Sequence, residues 1–154
     1  KLAAAADVAL PNAPPPGCEP MTWDELRHCE KYGMSFGPHT VTPPILSRTT
    51  DDVSRFELTE SWRRLSEQAR SPVNVFCYPN GREADFAQRE IDTLRGMGFL
   101  GAVVGTRGYP GRMDGTDPSA PFRVRRMEYP EDARQVVRFA SGLERLNLRL
   151  RGVA

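Results

Sequence analysis

The chain is short of the residues that staple a fold or knit it around metal. It holds three cysteines and two histidines, with no C-x-x-C pair, which excludes multi-cysteine structural zinc and a disulfide framework. No apolar run approaches the roughly 20 residues that a membrane-spanning helix needs, so no membrane partner is expected. Charge excess is missing too: 21 Lys plus Arg stand against 20 Asp plus Glu, a net charge of +1. That excludes nucleic acid held by phosphate neutralisation, which needs a basic surplus on one face. Unpaired cysteines lean the chain towards a reducing compartment, the cytoplasm. What is present, 39% hydrophobic and 27% charged residues in 154 positions, suits one domain with a sizeable core.

Residues 1–20 read differently from the rest. Ala3 to Leu10 is expected to be the end of a helix whose beginning lies upstream, and Asn12 to Pro20 (NAPPPGCEP) is a Pro-rich, extended connector. Residues 21–154 alternate short apolar runs with helical periodicities. Thr22 to Lys31 opens with a capping box, Thr22 at the N-cap and Glu25 three residues on, with Met21 and Leu26 as staple. Gly33 supplies a left-handed stop. Met34 to Phe36 is a short strand. Asp51 to Arg70 is a helix with Leu58, Trp62, Leu65 and Ala69 on one face, stopped by Ser71-Pro72. Val73 to Cys77 is a strand that ends in Pro79-Asn80-Gly81.

A third helix follows, capped by Asp85 or Gln88, with Ile91, Leu94 and Met97 on one face and an end at Gly96 to Gly98. Gly101 to Val104 is a buried strand, Gly105 to Pro121 a loop, and Phe122 to Met127 an edge strand. Pro130, Glu131 and Asp132 start one last helix striped by Val136, Phe139, Ala140, Leu143 and Leu146. Repeated β-then-α units imply an α/β fold, a parallel sheet or barrel covered by helices. In such folds chemistry sits just after the strands' C-terminal ends.

Two segments occupy that position: FGPHTVTPPILS (Phe36 to Ser47) and VFCYPNG (Val75 to Gly81). Taken alone, His39 is a lone histidine, a type more often structural than metal-binding. Tyr78-Pro79-Asn80-Gly81 reads first as a turn, because Pro and Asn-Gly are turn residues whatever the function. Among the aromatic residues, Trp62 belongs to the core and Trp23 to helix packing. Tyr78, in the loop at the strand end, is the best aromatic candidate for a ligand-facing position, with Tyr109 behind it. Cys77 is a buried structural thiol, and Arg123, Arg125 and Arg126 are a solvated strand edge.

In this order and spacing, MTWDELRHCEKYGMSFGPHTVTPPILS, a helix and VNVFCYPNG resemble the polysaccharide deacetylases, the family-four carbohydrate esterases of the NodB-homology type. The match runs from Met21 to Pro110 and extends more loosely to SGLERL. The resemblance implies a distorted (β/α) barrel, incomplete here, and a zinc-dependent hydrolase of the non-peptide C–N bonds of N-acetylated polysaccharides or oligosaccharides. It makes His39 a metal ligand, the Asn80 backbone N–H the oxyanion donor, and Tyr78, Pro79 and Gly81 the substrate-binding loop. Three departures stand against activity. The family's first motif, T-F-D-D-G, which supplies a ligand and the base, is absent, so the chain is expected to be truncated. The second histidine of H-[ST]-x-x-H is Pro43, which has no side-chain donor; one imidazole does not hold a catalytic zinc. Cys77 replaces the usual arginine, and no histidine follows His39 to act as acid in an L-x-H motif. The chain is therefore expected to be catalytically impaired, and the alternative is a non-catalytic carbohydrate-binding or scaffold homologue, a pseudoenzyme.

Overall fold

The computed structural model describes residues 13–110, 115–127 and 132–150. The expected helix at Ala3 to Leu10, and Pro130 and Glu131, lie outside these residues. Helix α1, Trp23–Glu30, forms where its caps predict: Thr22 and Glu25 exchange the reciprocal bonds of a capping box, and Gly33 takes φ +83° after it. A single 3-10 turn, Leu46–Arg48, precedes helix α2, Asp51–Gln68. Strand β1 (Val75–Cys77), helix α3 (Gln88–Gly96) and strand β2 (Gly101–Arg107) form one βαβ unit. Another 3-10 turn, Ala120–Phe122, leads into β3, Val124–Arg126. Helices α4 (Ala133–Ala140) and α5 (Leu143–Leu150) end the described chain.

The sheet is parallel, in the order β1-β2-β3, with Phe76 opposite Ala102 and Cys77 opposite Val103. It is open, an α/β sheet flanked by helices rather than a closed barrel. Alternation along the strands places Phe76, Tyr78, Ala102 and Val104 on one buried face. Leu58 of α2, Ile91 and Leu94 of α3, and Phe86, Phe99 and Phe122 close over that face. Trp62 packs edge-on against Phe99, as a core residue should.

Beneath this core lies a buried charge that is fully bonded. The Glu90 carboxylate, fully buried, accepts from the Ser54 hydroxyl of α2, the Ala87 N–H and Arg89 Nε. Arg89 in turn donates to the Leu46 and Thr49 carbonyls and to Asp51. One arginine thus ties α3 to the turn that ends the His39 loop.

Four expectations need correction. Met34 to Phe36 is not a ladder strand, although the segment does run alongside β1: the Val73 N–H donates to Phe36 C=O and the Cys77 N–H to Pro38 C=O. Pro38 has no N–H to return, and Gly37 presses so close that a Cβ there would lie 2.3 Å from the Val75 carbonyl. Neither Asp85 nor Gln88 caps α3. The N-cap is Ala87, whose N–H is bonded by Glu90, while Asp85 accepts from the Arg82 N–H. Strand β2 runs on through Arg107, so the loop begins later than expected. The last helix is two, broken at Gly142 (φ +75°), and its stripe residues Val136, Leu143 and Leu146 are exposed. No helix among the described residues is long and apolar enough to cross a membrane.

The burial pattern predicts the cost of core deletions. Phe76→Ala should destabilise the protein by about 3–5 kcal/mol. Val75→Ala, on the more exposed face of the same strand, should cost less than about 1 kcal/mol. Urea unfolding midpoints of the two variants measure the contrast, and similar losses would mean that the sheet buries both faces equally.

Candidate functional site

Both strand-end segments singled out in the sequence meet at the end of β1. The His39 Nδ1 lies 2.7 Å from the Cys77 carbonyl oxygen. A carbonyl only accepts, so Nδ1 carries a proton, and it is Nε2 that bears the lone pair in the ring's neutral form. That arrangement, ring N–H on a backbone carbonyl and the other nitrogen free, is the usual posture of a ligating or proton-accepting imidazole. His39 is exposed. The two loops are also joined further on: the Ser47 N–H donates to Asp85 C=O at 3.0 Å, and the Ser47 hydroxyl to Ala84 C=O at 2.6 Å.

Each loop holds one non-glycine residue in the left-handed region, Thr40 at φ +65° and Asn80 at φ +59°. No other described residue apart from glycine does so. For a β-branched threonine this is a genuine outlier, and such strain costs about 1–3 kcal/mol unless the surroundings impose it. The surroundings of Thr40 are explicit. On one side His39 is bonded to Cys77; on the other, the Val41 and Thr42 N–H groups donate to Glu57 Oε2 at 2.7 and 2.9 Å, and the Thr42 hydroxyl donates to Oε1. Glu57, on α2, is 3% exposed. Burial opposes its charge, but the Thr42 hydroxyl, the two N–H groups and nearby Arg64 outweigh that and hold its carboxyl below the ordinary range. No sequence signal singled out Glu57, because a mid-helix glutamate normally faces water.

The Asn80 turn is fixed by close backbone contact. The Gly81 N–H closes onto the Pro79 carbonyl at 2.6 Å, and the Gly105 N–H donates to Gly81 C=O at 2.8 Å. A Cβ at Gly81 would lie 2.2 Å from Gly105 N, and one at Gly105 would lie 2.3 Å from the Asn80 oxygen. With its N–H diverted to Gly81, Gly105 sits within the stretch where the β2–β3 register slips, between Val103 and Arg107. Among the described residues nothing accepts from the Asn80 N–H, and Asn80 is exposed.

Of the other expected site residues, Tyr78 is corrected outright. Its ring is 1% exposed and stacks on Phe86 at 3.9 Å, with burial and the Glu90 charge raising the phenol pKa. Period-2 alternation places Tyr78 beside Phe76 on the core face, a signal that was readable in the sequence. Pro79 and Gly81 are buried as well, so of this loop only Asn80 is exposed. Trp23, expected to pack, is 42% exposed and lines a cleft of about 250 Å³ with His39, Thr40, Ser61, Arg64 and Leu65. Asn80 is not among the lining residues of that cleft. Tyr109 donates to the Phe139 carbonyl, joining the β2 exit to α4. Arg126, expected as a solvated edge, reaches back to the Val104 carbonyl and to within 3.9 Å of Cys77 Sγ. Burial raises the Cys77 thiol pKa against the pull of Arg126, which keeps it an inert thiol.

The donor set for a metal is thin. Among the described residues no three His, Cys, Asp or Glu side chains cluster to hold an ion. His39 fits one ligand position, Pro43 offers none, and the residues described do not fit a catalytic zinc by themselves.

A family model for polysaccharide deacetylases matches residues 11–99. Among solved structures, the Streptococcus pyogenes deacetylase PplD, determined in complex with acetate, superposes with a TM-score of 0.62 at 21% identity. The superposition covers 74% of this chain and 47% of that one, so the chain spans about half of that structure's length and shares its fold. No curated protein sequence matches the chain.

Two outcomes follow from the geometry of the loops. Gly105→Ala should lose about 1–3 kcal/mol by overpacking against Asn80, whereas Gly96→Ala, whose Cβ meets nothing within 4 Å, should be neutral or stabilising. Thermal unfolding compares them, and equal midpoints would mean that the Asn80 turn yields freely. The lowered Glu57 pKa adds stability that is complete above its ordinary value of 4.5 and is lost as pH falls through the lowered one. Urea midpoints between pH 6 and pH 3 should therefore fall less steeply in Glu57→Gln than in the parent; parallel curves would remove Glu57 from the acid response.

Proposed function

The chain belongs to the polysaccharide deacetylase family, and from that premise we propose that its strand-end loops form the glycan-facing part of a site for N-acetylated polysaccharides. In this reading His39 Nε2 is one ligand of a divalent ion, zinc, whose remaining ligands the described residues do not supply. The Asn80 N–H is the oxyanion donor. When water adds to an N-acetyl carbonyl, negative charge gathers on the carbonyl oxygen, and a preorganised N–H aimed there lowers the barrier. One such donor is typically worth about 10²–10³ in rate. The observation that carries the reading is the Asn80 N–H, which finds no acceptor among the described residues and is held on a strained turn at the same strand end as His39.

The same residues explain why turnover should fail. Hydrolysis of an amide at neutral pH needs an activated water and a base, and neither His39 nor Asn80 supplies both. A second reading, a non-catalytic glycan-binding homologue, is favoured by Pro43 in the ligand position and by the thin donor set among the described residues.

The chain should release no acetate from N-acetylated chito-oligosaccharides and should retain no stoichiometric zinc after dialysis. Pro43→His alone should not change either result, because one added imidazole brings neither base nor third ligand. Acetate release, or one tightly held ion per chain by elemental analysis, would overturn the assignment of a deficient site. Calorimetric titration with the oligosaccharide separates the two readings. Binding strengthened by excess zinc and lost in His39→Ala supports a metal-site remnant; binding indifferent to zinc supports the glycan-binding homologue; no binding at all removes both.

A further inference from the structure

The most costly side chain near the site is one that touches no ligand position. Glu57 is a buried carboxylate in the middle of α2, where any apolar residue would serve the helix equally well. Its hydrogen bonds all reach out of α2, to Val41 and Thr42. The loop explains why it is needed there. Pro43 and Pro44 have no N–H, so residues 41–44 contain just two backbone donors, those of Val41 and Thr42. Both end on one carboxylate oxygen, and the Thr42 hydroxyl ends on the other. Between this anchor and the His39–Cys77 bond lies a single residue, Thr40, forced to φ +65°. If Glu57 let go, Thr40 would be free to return to negative φ, and that rotation turns the His39 peptide and its ring away from Cys77.

We propose that Glu57 is the positioning residue for His39: through Val41 and Thr42 it holds Thr40 in the left-handed conformation, which keeps Nδ1–H on the Cys77 carbonyl and presents the Nε2 lone pair outward. The importance of that presentation rests on the reading of His39 as a site residue, but the coupling itself is a property of the loop. A glutamine at position 57 keeps the size of the side chain but not its charge: one oxygen is left for the two N–H groups, the NH₂ faces the Thr42 hydroxyl, which must then accept instead of donate, and the charge-assisted strength of all three bonds is lost. Aspartate keeps both oxygens on a shorter arm.

Ring-nitrogen NMR of the whole chain tests this without any ligand, so its outcome is independent of whether glycan or zinc binds. The chain has two histidines, and His28, on α1, is the internal control. In the parent, His39 should show the pure Nδ1–H tautomer at a pH where both rings are neutral. In Glu57→Gln its two nitrogen shifts should converge towards the averaged values of a free imidazole, with His28 unmoved, and Glu57→Asp should restore part of the separation. Thr42→Ala, an exposed position that removes only the hydroxyl donor, should shift His39 in the same direction by less. It reports even if Glu57→Gln fails to fold. His39 signals unchanged in folded Glu57→Gln, or unchanged in Thr42→Ala when Glu57→Gln is unfolded, would overturn the proposal. Equal changes at His28 and His39 would do the same, because they would mark a global loosening.

Discussion

The end of β1 is held by one residue bonded in two directions. Cys77 donates its N–H to Pro38 and accepts at its carbonyl from His39 Nδ1, so its backbone sets where the first loop departs and how its imidazole is turned. Three residues further on, the chain turns at Asn80, against a β2 backbone that tolerates the contact only because Gly105 has no Cβ. The distance between the two loops is therefore not left to flexible side chains. It is inherited from a parallel ladder in which Cys77 stands opposite Val103 and the Tyr78 N–H donates to Val103 C=O.

Strain is concentrated at the same place. Thr40 and Asn80 are the two described non-glycine residues at positive φ, one in each loop. Elsewhere the chain uses glycine for that conformation, at Gly33 after α1 and Gly142 between α4 and α5. A glycine at position 40 would relieve the threonine, but it would also widen the conformations open to the unfolded and folded loop alike. Holding a poor conformer with several hydrogen bonds gives a narrower distribution of ring orientations than allowing a good one. That is the physical sense in which a strained residue beside His39 serves precision rather than stability.

Much of the frame was legible because its signals are local. The Thr22–Glu25 box, Gly33, Ser71-Pro72 and the apolar strands are written within a few residues of where they act, and the parallel order followed from β-then-α alternation. His39 and Asn80 stood out because both follow segments that read as strands in a fold that places chemistry there. What escaped is nonlocal or depends on which face a residue takes. Glu57 looks like one of the many solvated glutamates of α2 until its partners fifteen and sixteen residues earlier are known. Trp23 sits in the first turn of its helix, where packing is the ordinary fate, yet it borders the cleft. Tyr78 was misread for the opposite reason: its place after a strand suggested exposure, while its parity with Phe76 required burial. The break at Gly142 was visible as a glycine inside the stripe, and the amphipathic pattern concealed it.

The polarity of this half-site is better understood through backbone donors than through side chains. Pro43 and Pro44 have no N–H to give a neighbouring carbonyl, so this stretch of the loop has little to offer as a partner for another strand. Residues 41–44 have two N–H groups to place, and a buried carboxylate on the adjacent helix takes both. In the Asn80 turn the Gly81 N–H donates to the Pro79 carbonyl and the Gly81 carbonyl accepts from the Gly105 N–H, while nothing among the described residues accepts from the Asn80 N–H. An exposed N–H is satisfied by water at small cost. One loop thus presents an imidazole held by its Nδ1 on Cys77, the other a backbone N–H with no acceptor among the described residues. An acceptor and a donor presented from the same strand end are complementary to the two ends of a polar reacting group. The orientation of the imidazole and the turn at Asn80 are thus two consequences of one strand end, the first fixed by a side-chain bond to Cys77 and the second by backbone packing against Gly105.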